Sequence, residues 1–319
     1  MITRSELCAQ LRARDNYVIL THRRPDGDTT GCAAALCMGL RQIGKRAAVL
    51  PNRQFTPRFA PYLAGLTCPD VTDDATLVSV DIASMGLLSF DAEPYGARIA
   101  LAVDHHGSNS LPLEEKLVEA DKAACGEIIY EILVELGVTI SKPIAEALYV
   151  AIATDTGCFK FSNTSANTFR VAAALIDAGA DVFPINKLFF DTKSFARLKL
   201  EARLVDTTEF FAGGRVAICQ IPNAWLTELA LTEDDVDSIS GFARSIEGVQ
   251  IGVMIREVEN GLGKLSVRTD PEYNASDLCK ALGGGGHIAA AGATVAGGIT
   301  GARRAILAVL SERGIVLER

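Results

Sequence analysis

A chain of 319 residues exceeds the roughly 250 to 300 residues at which single cores stop growing, so two domains are expected. Its hydrophobic content of 49%, spread along the whole length, excludes a disordered or low-complexity protein. A formal net charge of −8 argues against a long basic track for duplex nucleic acid, while a small anionic substrate is compatible with it, because a few local cations or bound metals create a positive site on an acidic protein.

In chain order, residues 17–21 read as a strand, followed by a polar loop and a helix over 29–43 that Gly44 stops. Strands at 46–50, 76–80 and 99–103 and helices at 126–136 and 143–153 complete an alternation that predicts an α/β fold with a doubly wound parallel sheet. A helix over 164–177 ends before Gly179, and the helical stretch 184–204 has no strand partner, which makes it the expected connector. From about residue 207 the pattern changes to strands with hairpin-like glycines, at 207–211, 216–221, 250–257 and 264–268, with Gly213-Gly214 and 260–263 between them. A second, smaller mixed α/β domain is expected there, giving boundaries of 1–185, 186–206 and 207–319. The apolar runs, such as 33–40 and 171–176, are shorter than the roughly 18 residues of a membrane span. Arg4, Glu6, Arg12, Arg14 and Asp15 interrupt any signal-peptide core, so a cytoplasmic protein without a membrane partner is expected. Cys8, Cys32, Cys37, Cys68, Cys125, Cys158, Cys219 and Cys279 fall singly, without a CxxC pair, and read as small buried hydrophobes.

The histidines carry the chemical signal. All four stand beside glycine or aspartate in loops: His22 in THRRPDGDTTG, His105 and His106 in VDHHG, and His287 in GGGGH. His22 ends a strand, and Asp26 and Asp28 follow within a tight Pro/Gly loop. An acidic turn that caps the next helix is the competing reading of those two carboxylates. Asp81 terminates a second strand, Asp104 and His105 a third, and Asp155 is expected to begin a Thr/Gly loop after the helix 143–153. In an open α/β sheet ligands bind outside the carboxyl ends of the strands, so several independent segments deliver His or Asp to one edge. Imidazoles and carboxylates without thiolates point to manganese, iron or zinc ahead of magnesium, with manganese first. Two divalent ions would balance four carboxylates and let a phosphate approach, which predicts a two-metal phosphoesterase.

These segments resemble the four motifs of the DHH superfamily of phosphoesterases, which includes RecJ-like exonucleases, family II pyrophosphatases and nanoRNase/pAp phosphatases, and the resemblance covers nearly the whole chain. It implies that His22 and Asp26 hold one ion, that Asp28, His105 and Asp155 hold the other, and that Asp81 bridges them. Asp104 would orient a ligand histidine, and His106 would face substrate phosphate, with a third metal-ligand role as its competitor; Asp81, Asp104 and His106 are thus the expected catalytic residues. The run Gly283, Gly284, Gly285, Gly286, His287 resembles the glycine-rich signature of the DHH-associated C-terminal domain, whose backbone N–H groups can approach an anion. Ser266 and Arg268 match that domain's Ser/Arg strand, so His106, Ser266, Arg268, Gly284, Gly285, Gly286 and His287 form the expected substrate-binding set, with Arg268 and His287 facing the metals across an interdomain cleft. One departure concerns the helix after the third motif, where the family often places Ser or Thr before Gly-Glu-Ile: here Ala123, Ala124 and Cys125 precede Gly126, and they read as helix packing.

The compact architecture resembles the nanoRNase/pAp phosphatase branch, also described as bifunctional oligoribonucleases. That implies manganese-dependent hydrolysis of short oligoribonucleotides and/or 3'-phosphoadenosine 5'-phosphate (pAp), with a soluble cyclic di-AMP or pApA phosphodiesterase as the alternative. The expected partners are short single-stranded RNA or a small nucleotide as substrate, no duplex nucleic acid, and a homodimer.

Overall fold

The computed structural model describes residues 1–319 apart from 68–69, 238, 271, 317 and 319, so Cys68 lies outside the described residues. The chain divides into two units, Met1–Thr192 and Lys193–Arg319, and the division falls inside the stretch 186–206.

In the first unit the elements are α1 (Arg4–Ala13), β1 (Tyr17–Leu20), α2 (Gly27–Gln42), β2 (Ala47–Val49), α3 (Ala60–Leu63), β3 (Thr76–Val80), β4 (Ile99–Asp104), β5 (Lys116–Val118), α4 (Cys125–Glu135), α5 (Lys142–Asp155), α6 (Ala166–Asp177) and α7 (Val182–Asn186). The five strands form a parallel sheet in the order β2-β1-β3-β4-β5. Strand β1 shows why the sheet is buried on both faces: Tyr17 and Ile19 join the core under α2, α4 and α5, while Val18 and Leu20 join a second cluster on the opposite face. That second face is closed by loop residues such as Leu88, Ala92 and Leu111, near the short 3₁₀ turns Met85–Leu87 and Glu93–Arg98, rather than by long helices. Helices α2 and α5 approach closely because Gly31 has no side chain: a Cβ there would collide with the carbonyl of Ala147, and one at Gly126 would press on Ala151. These contacts bring the start of α2 against the start of α4, where a ligand candidate lies.

Two expectations change locally. Helix α5 runs through Asp155, so this carboxylate sits in a last helical turn and not at the start of a loop. The stretch 184–204 is not one helix: α7 passes into a π-type turn over Lys187–Asp191, and a new helix begins after Ser194, whose hydroxyl accepts from the backbone N–H of Arg197 at 2.9 Å. All seven described cysteines are free thiols, and only Cys158 is less than fully buried.

The second unit contains α8 (Phe195–Thr207), β6 (Glu209–Phe211), β7 (Val216–Ile221), α9 (Asn223–Glu228), α10 (Glu233–Asp237), β8 (Ile251–Val258), β9 (Leu262–Thr269), α11 (Ala275–Lys280), β10 (Gly285–Gly286), β11 (Ala290–Ala296) and α12 (Gly298–Glu312). Its six strands run in the order β10-β11-β9-β8-β7-β6, with β7 and β8 parallel and the other pairs antiparallel. Leu200 and Leu204 of α8 pack with Ala217, Cys219 and Ile221 on one face, while Leu265 and Val267 pack with Ala302 and Ile306 of α12 on the other. Asn260 and Gly261, both at positive φ, turn β8 into β9 in the way an Asn-Gly hairpin does. No helix among the described residues is long and apolar enough to cross a membrane.

Candidate metal centre and anion cavity

Strand β1 lies between β2 and β3, so the chain leaves it first to one side and then to the other, opening a crevice at the carboxyl ends. His22 follows β1 and Asp81 follows β3 at that edge. The His22 Nδ1–H donates to the carbonyl of Arg23 at 2.9 Å, which leaves Nε2 as the ligand atom, 3.4 Å from Asp26 Oδ1 and 3.6 Å from Asp81 Oδ2. Asn52 fixes the same turn by donating to the His22 carbonyl at 3.0 Å and to Thr21 Oγ1 at 3.1 Å.

Asp26 proves to be a helix cap as well as a ligand candidate, for its Oδ1 accepts from the N–H groups of Asp28 and Thr29 at the start of α2. Asp28 is fully buried and does something the sequence did not disclose. It accepts from the N–H groups of Cys125 at 2.7 Å and Gly126 at 2.9 Å, at the N-terminus of α4. The residue at that N-cap, Ala124, has no side-chain acceptor. The carboxylate therefore takes the place of the missing hydroxyl, 97 residues away in sequence.

His105 follows β4, with its Nδ1 against the carbonyl of Lys122 at 3.3 Å. Its Nε2 stands 3.3 Å from Asp155 Oδ2, 3.6 Å from Asp81 Oδ1 and 3.8 Å from Asp28 Oδ2. The candidate ligand atoms thus fall into groups lying within 4.8 Å of one another: His22, Asp26 and Asp81; Asp28, His105 and Asp155; and Asp81, His105 and His106. Asp104 holds the ring of His106, not that of His105. Its Oδ1 accepts from His106 Nδ1 at 2.8 Å and from the His105 backbone N–H at 2.9 Å, while Asn109 donates to Oδ2 at 2.6 Å. Asn109 and Asn52 escaped the sequence reading; their signal was a polar side chain in the loop beyond a strand end.

Electrostatics separate these groups. Burial first, then the neighbouring Asp26 charge, pushes Asp28 up to about 7. Burial, reinforced by Asp28, pushes Asp155 up to about 8 and raises Asp81 well above the carboxylate range. Asp26 moves the other way, to about 2: burial opposes this most, but the charge and hydrogen bond of His22 and the N–H groups of Thr29 and Asp28 together outweigh it. Burial opposes most the low position of Asp104, but the hydrogen bond and charge of His106 with the hydrogen bond from Asn109 together outweigh it; burial likewise opposes the rise of His106, which the hydrogen bond and charge of Asp104 and the charges of Asp155 and Asp28 carry together. The buried Asp81 Oδ1 has no hydrogen-bond partner, and the ion pairs formed by Asp26, Asp28, Asp81 and Asp155 among the described residues are with histidine alone. A donor set so short of positive charge fits divalent metal ions.

In the second unit, alternation along β9 turns Lys264, Ser266 and Arg268 away from the core that Leu265 and Val267 enter. With Ser240, Met254 and Arg256 they line a cavity of about 150 Å³. Arg268 donates to Ser240 Oγ and to the Val267 carbonyl, both at 3.1 Å, and burial lowers its pKa. Arg256 makes a two-pronged pair with Glu233, at 2.6 and 2.9 Å. The glycine run is used differently from expectation. The Gly283 and Gly284 N–H groups donate to the carbonyls of Lys280 and Cys279 and close α11, and Gly285 and Gly286 pair with β11. The Gly284 N–H therefore serves a helix end rather than an anion nest. His287 forms a tight hairpin with Ala290, the register partner of Arg268, so both stand at one end of the sheet.

Comparison with known proteins gives a consistent picture. Residues 16–152 match the DHH family, N-terminal domain, and residues 213–313 match the DHHA1 domain. Over 283 residues the chain is 32% identical to the bifunctional oligoribonuclease and PAP phosphatase NrnA of Thermus thermophilus, spanning 88% of this chain and 84% of that one. It is 25% identical over 301 residues to the protein of the same description from Bacillus subtilis, spanning 92% and 93% of the two chains. Among solved structures, an exopolyphosphatase-related protein from Bacteroides fragilis matches with a TM-score of 0.87 at 19% identity, over 97% of this chain and 95% of that one, a likeness of fold.

Proposed function

The chain belongs to the DHH family of phosphoesterases, and from that premise we propose that it hydrolyses short oligoribonucleotides and pAp with two manganese ions held in its first unit. The observation that carries this reading is the position of Asp81, whose two oxygens each stand 3.6 Å from a different histidine, His22 and His105, so that one buried carboxylate serves both ligand groups. His22 and Asp26 would hold one ion, Asp28, His105 and Asp155 the other, with Asp81 between them. Ions bound there supply positive charge that polarises phosphate oxygens and acidifies water.

The chain's own side chains do the rest. Asp104, held as the carboxylate, fixes the His106 ring through Nδ1, and His106, whose protonated form this bond favours, donates from Nε2 to a phosphate oxygen. Ser266 and Arg268, joined by Arg256 and Lys264, bind a phosphate of the substrate away from the scissile bond, and the planar guanidinium of Arg268 suits two phosphate oxygens at once. Residues 1–185 are accordingly the catalytic part and 207–319 the substrate-binding part, with α8 of the intervening stretch 186–206 packed into the second unit. The substrate choice is supported by the Thermus and Bacillus relatives, which the chain matches over most of their length.

A panel of pAp, di- to pentaribonucleotides, a twenty-mer, pApA and cyclic di-AMP, run with manganese and a second metal, tests this. Turnover of pAp and the shortest RNAs is expected, falling steeply beyond about five nucleotides. Preference for cyclic di-AMP or pApA would replace the substrate assignment, and equal rates on dimers and twenty-mers would favour an open channel.

A further inference from the structure

Asn163 follows Asp155 by eight residues and is not among the ligand or substrate residues above. After α5 the backbone passes through three successive left-handed residues, Gly157, Cys158 and Phe159, at φ 55°, 58° and 63°. Such runs are rare for L-residues and persist only where the surroundings over-determine them. The Cys158 N–H returns to the Ala153 carbonyl at 2.7 Å and the Phe161 N–H to the Thr156 carbonyl at 3.0 Å, so the chain doubles back on the helix end that carries Asp155. There the Asn163 amide nitrogen donates to two carbonyls, that of Asp155 at 3.1 Å and that of Ala123 at 3.0 Å.

Ala123 belongs to the segment 122–126, which touches the two remaining members of one ligand group. The Lys122 carbonyl meets His105 Nδ1, and the N–H groups of Cys125 and Gly126 hold both oxygens of Asp28. One side chain thus ties the backbone of Asp155 to the segment that aims His105 and Asp28. The other group is held by separate bonds: His22 to the Arg23 carbonyl, Asn52 to the His22 carbonyl, and Asp26 to the first turn of α2.

We infer that Asn163 is a positioning residue that sets metal affinity at the Asp28, His105 and Asp155 subsite and leaves the His22 and Asp26 subsite alone. The inference rests on the two-metal reading above. It is tested by titrating the metal-free full chain with Mn²⁺, by calorimetry and by the electron paramagnetic resonance of free Mn²⁺, for wild type, Asn163→Ala and the isosteric Asn163→Asp, which loses both donor hydrogens. Wild type should take up two ions. In the variants one binding step should weaken by about tenfold to a hundredfold, the range for loss of a group that supports a metal ligand, with the other step unchanged. Raising Mn²⁺ should then restore kcat with little change in KM. Asn163→Gln, which keeps the amide, should recover part of the affinity. Two unchanged steps in a variant with a native melting temperature, or equal weakening of both, would overturn the subsite assignment. Should Asn163→Ala not fold, Asn163→Asp alone decides between these outcomes. A wild-type chain binding a single ion would instead overturn the two-metal reading, and the inference with it.

Discussion

In the first unit, Asp26, Asp28, Asp81 and Asp155 gather around His22 and His105, and the ion pairs they form among the described residues are with histidine alone; in the second, Arg256, Lys264 and Arg268 line one cavity with two serine hydroxyls. Crowding like charges in a low-dielectric interior is unfavourable until an opposite charge arrives, and in the second region Glu233 already pairs with Arg256. The two regions are also made differently. Ligands of the first come from the ends of β1, β3, β4 and α5 and from the start of α2, so each depends on how distant segments pack. Three residues of the second lie at alternate positions on the single strand β9, where the pleat alone puts them on one face.

Removing cations altogether is the largest perturbation of that contrast. EDTA treatment should eliminate activity, and Mn²⁺ should restore it better than Ca²⁺, whose larger, oxygen-preferring shell suits two imidazoles poorly. Activity that survives thorough chelation, verified by metal analysis, would contradict the first region's need for cations. Asp81→Ala comes next, with kcat expected to fall on the order of a thousandfold, as for loss of a central electrostatic group at a reacting centre. Near-normal kcat with two ions still bound would remove Asp81 from the bridging position.

Arg268→Ala should do less, chiefly raising KM by about tenfold, the equivalent of one charge-assisted hydrogen bond of roughly 1.5 kcal/mol. An unchanged KM for pAp and dinucleotides would take the second region out of substrate binding. The smallest effect is on stability. Asp28 and Asp155 titrate at about 7 and about 8 in the folded chain against 3.8 ordinarily, so the folded state keeps protons that the unfolded state has lost. Their contribution to the stability of the metal-free protein is therefore fully present below about pH 4 and is lost as pH rises through 7 and 8. Melting curves of metal-free protein at pH 5.5 and 8.5 should show a lower Tm at the higher pH, and Mn²⁺ should reduce that difference. A metal-free Tm that rises over this interval would argue against crowded, uncompensated carboxylates.

Much of this was legible beforehand where local rules suffice. Strands 76–80 and 216–221 match β3 and β7 to the residue and 17–21 matches β1 to within one, because short β-branched and aromatic runs bounded by turn residues have one simple solution. The helix expected to end at 153 runs two residues further, to Asp155, because a Thr-Asp-Thr-Gly string reads as a loop although the last helical turn extends through its first half. The run 184–204 looked continuous because each half is helical, and the Ser194 cap inside it is an ordinary surface serine until its hydroxyl meets the Arg197 N–H.

What the sequence determined by itself was the inventory and its address: strand-end histidines and aspartates, and a parallel sheet that carries them to one edge. These follow from periods of two and 3.6 residues and from the rule for carboxyl ends, all properties of short windows. Only the tertiary structure decided which partner each group takes. It assigned Asp104 to the ring of His106, Asp28 to the N–H groups of α4, Asn163 to the carbonyls of Ala123 and Asp155, and the Gly284 N–H to the end of α11. Hydrogen bonds need partners within about 3 Å, and for segments tens of residues apart that proximity is set by helix-on-helix contacts such as Gly31 against Ala147, which no local pattern encodes.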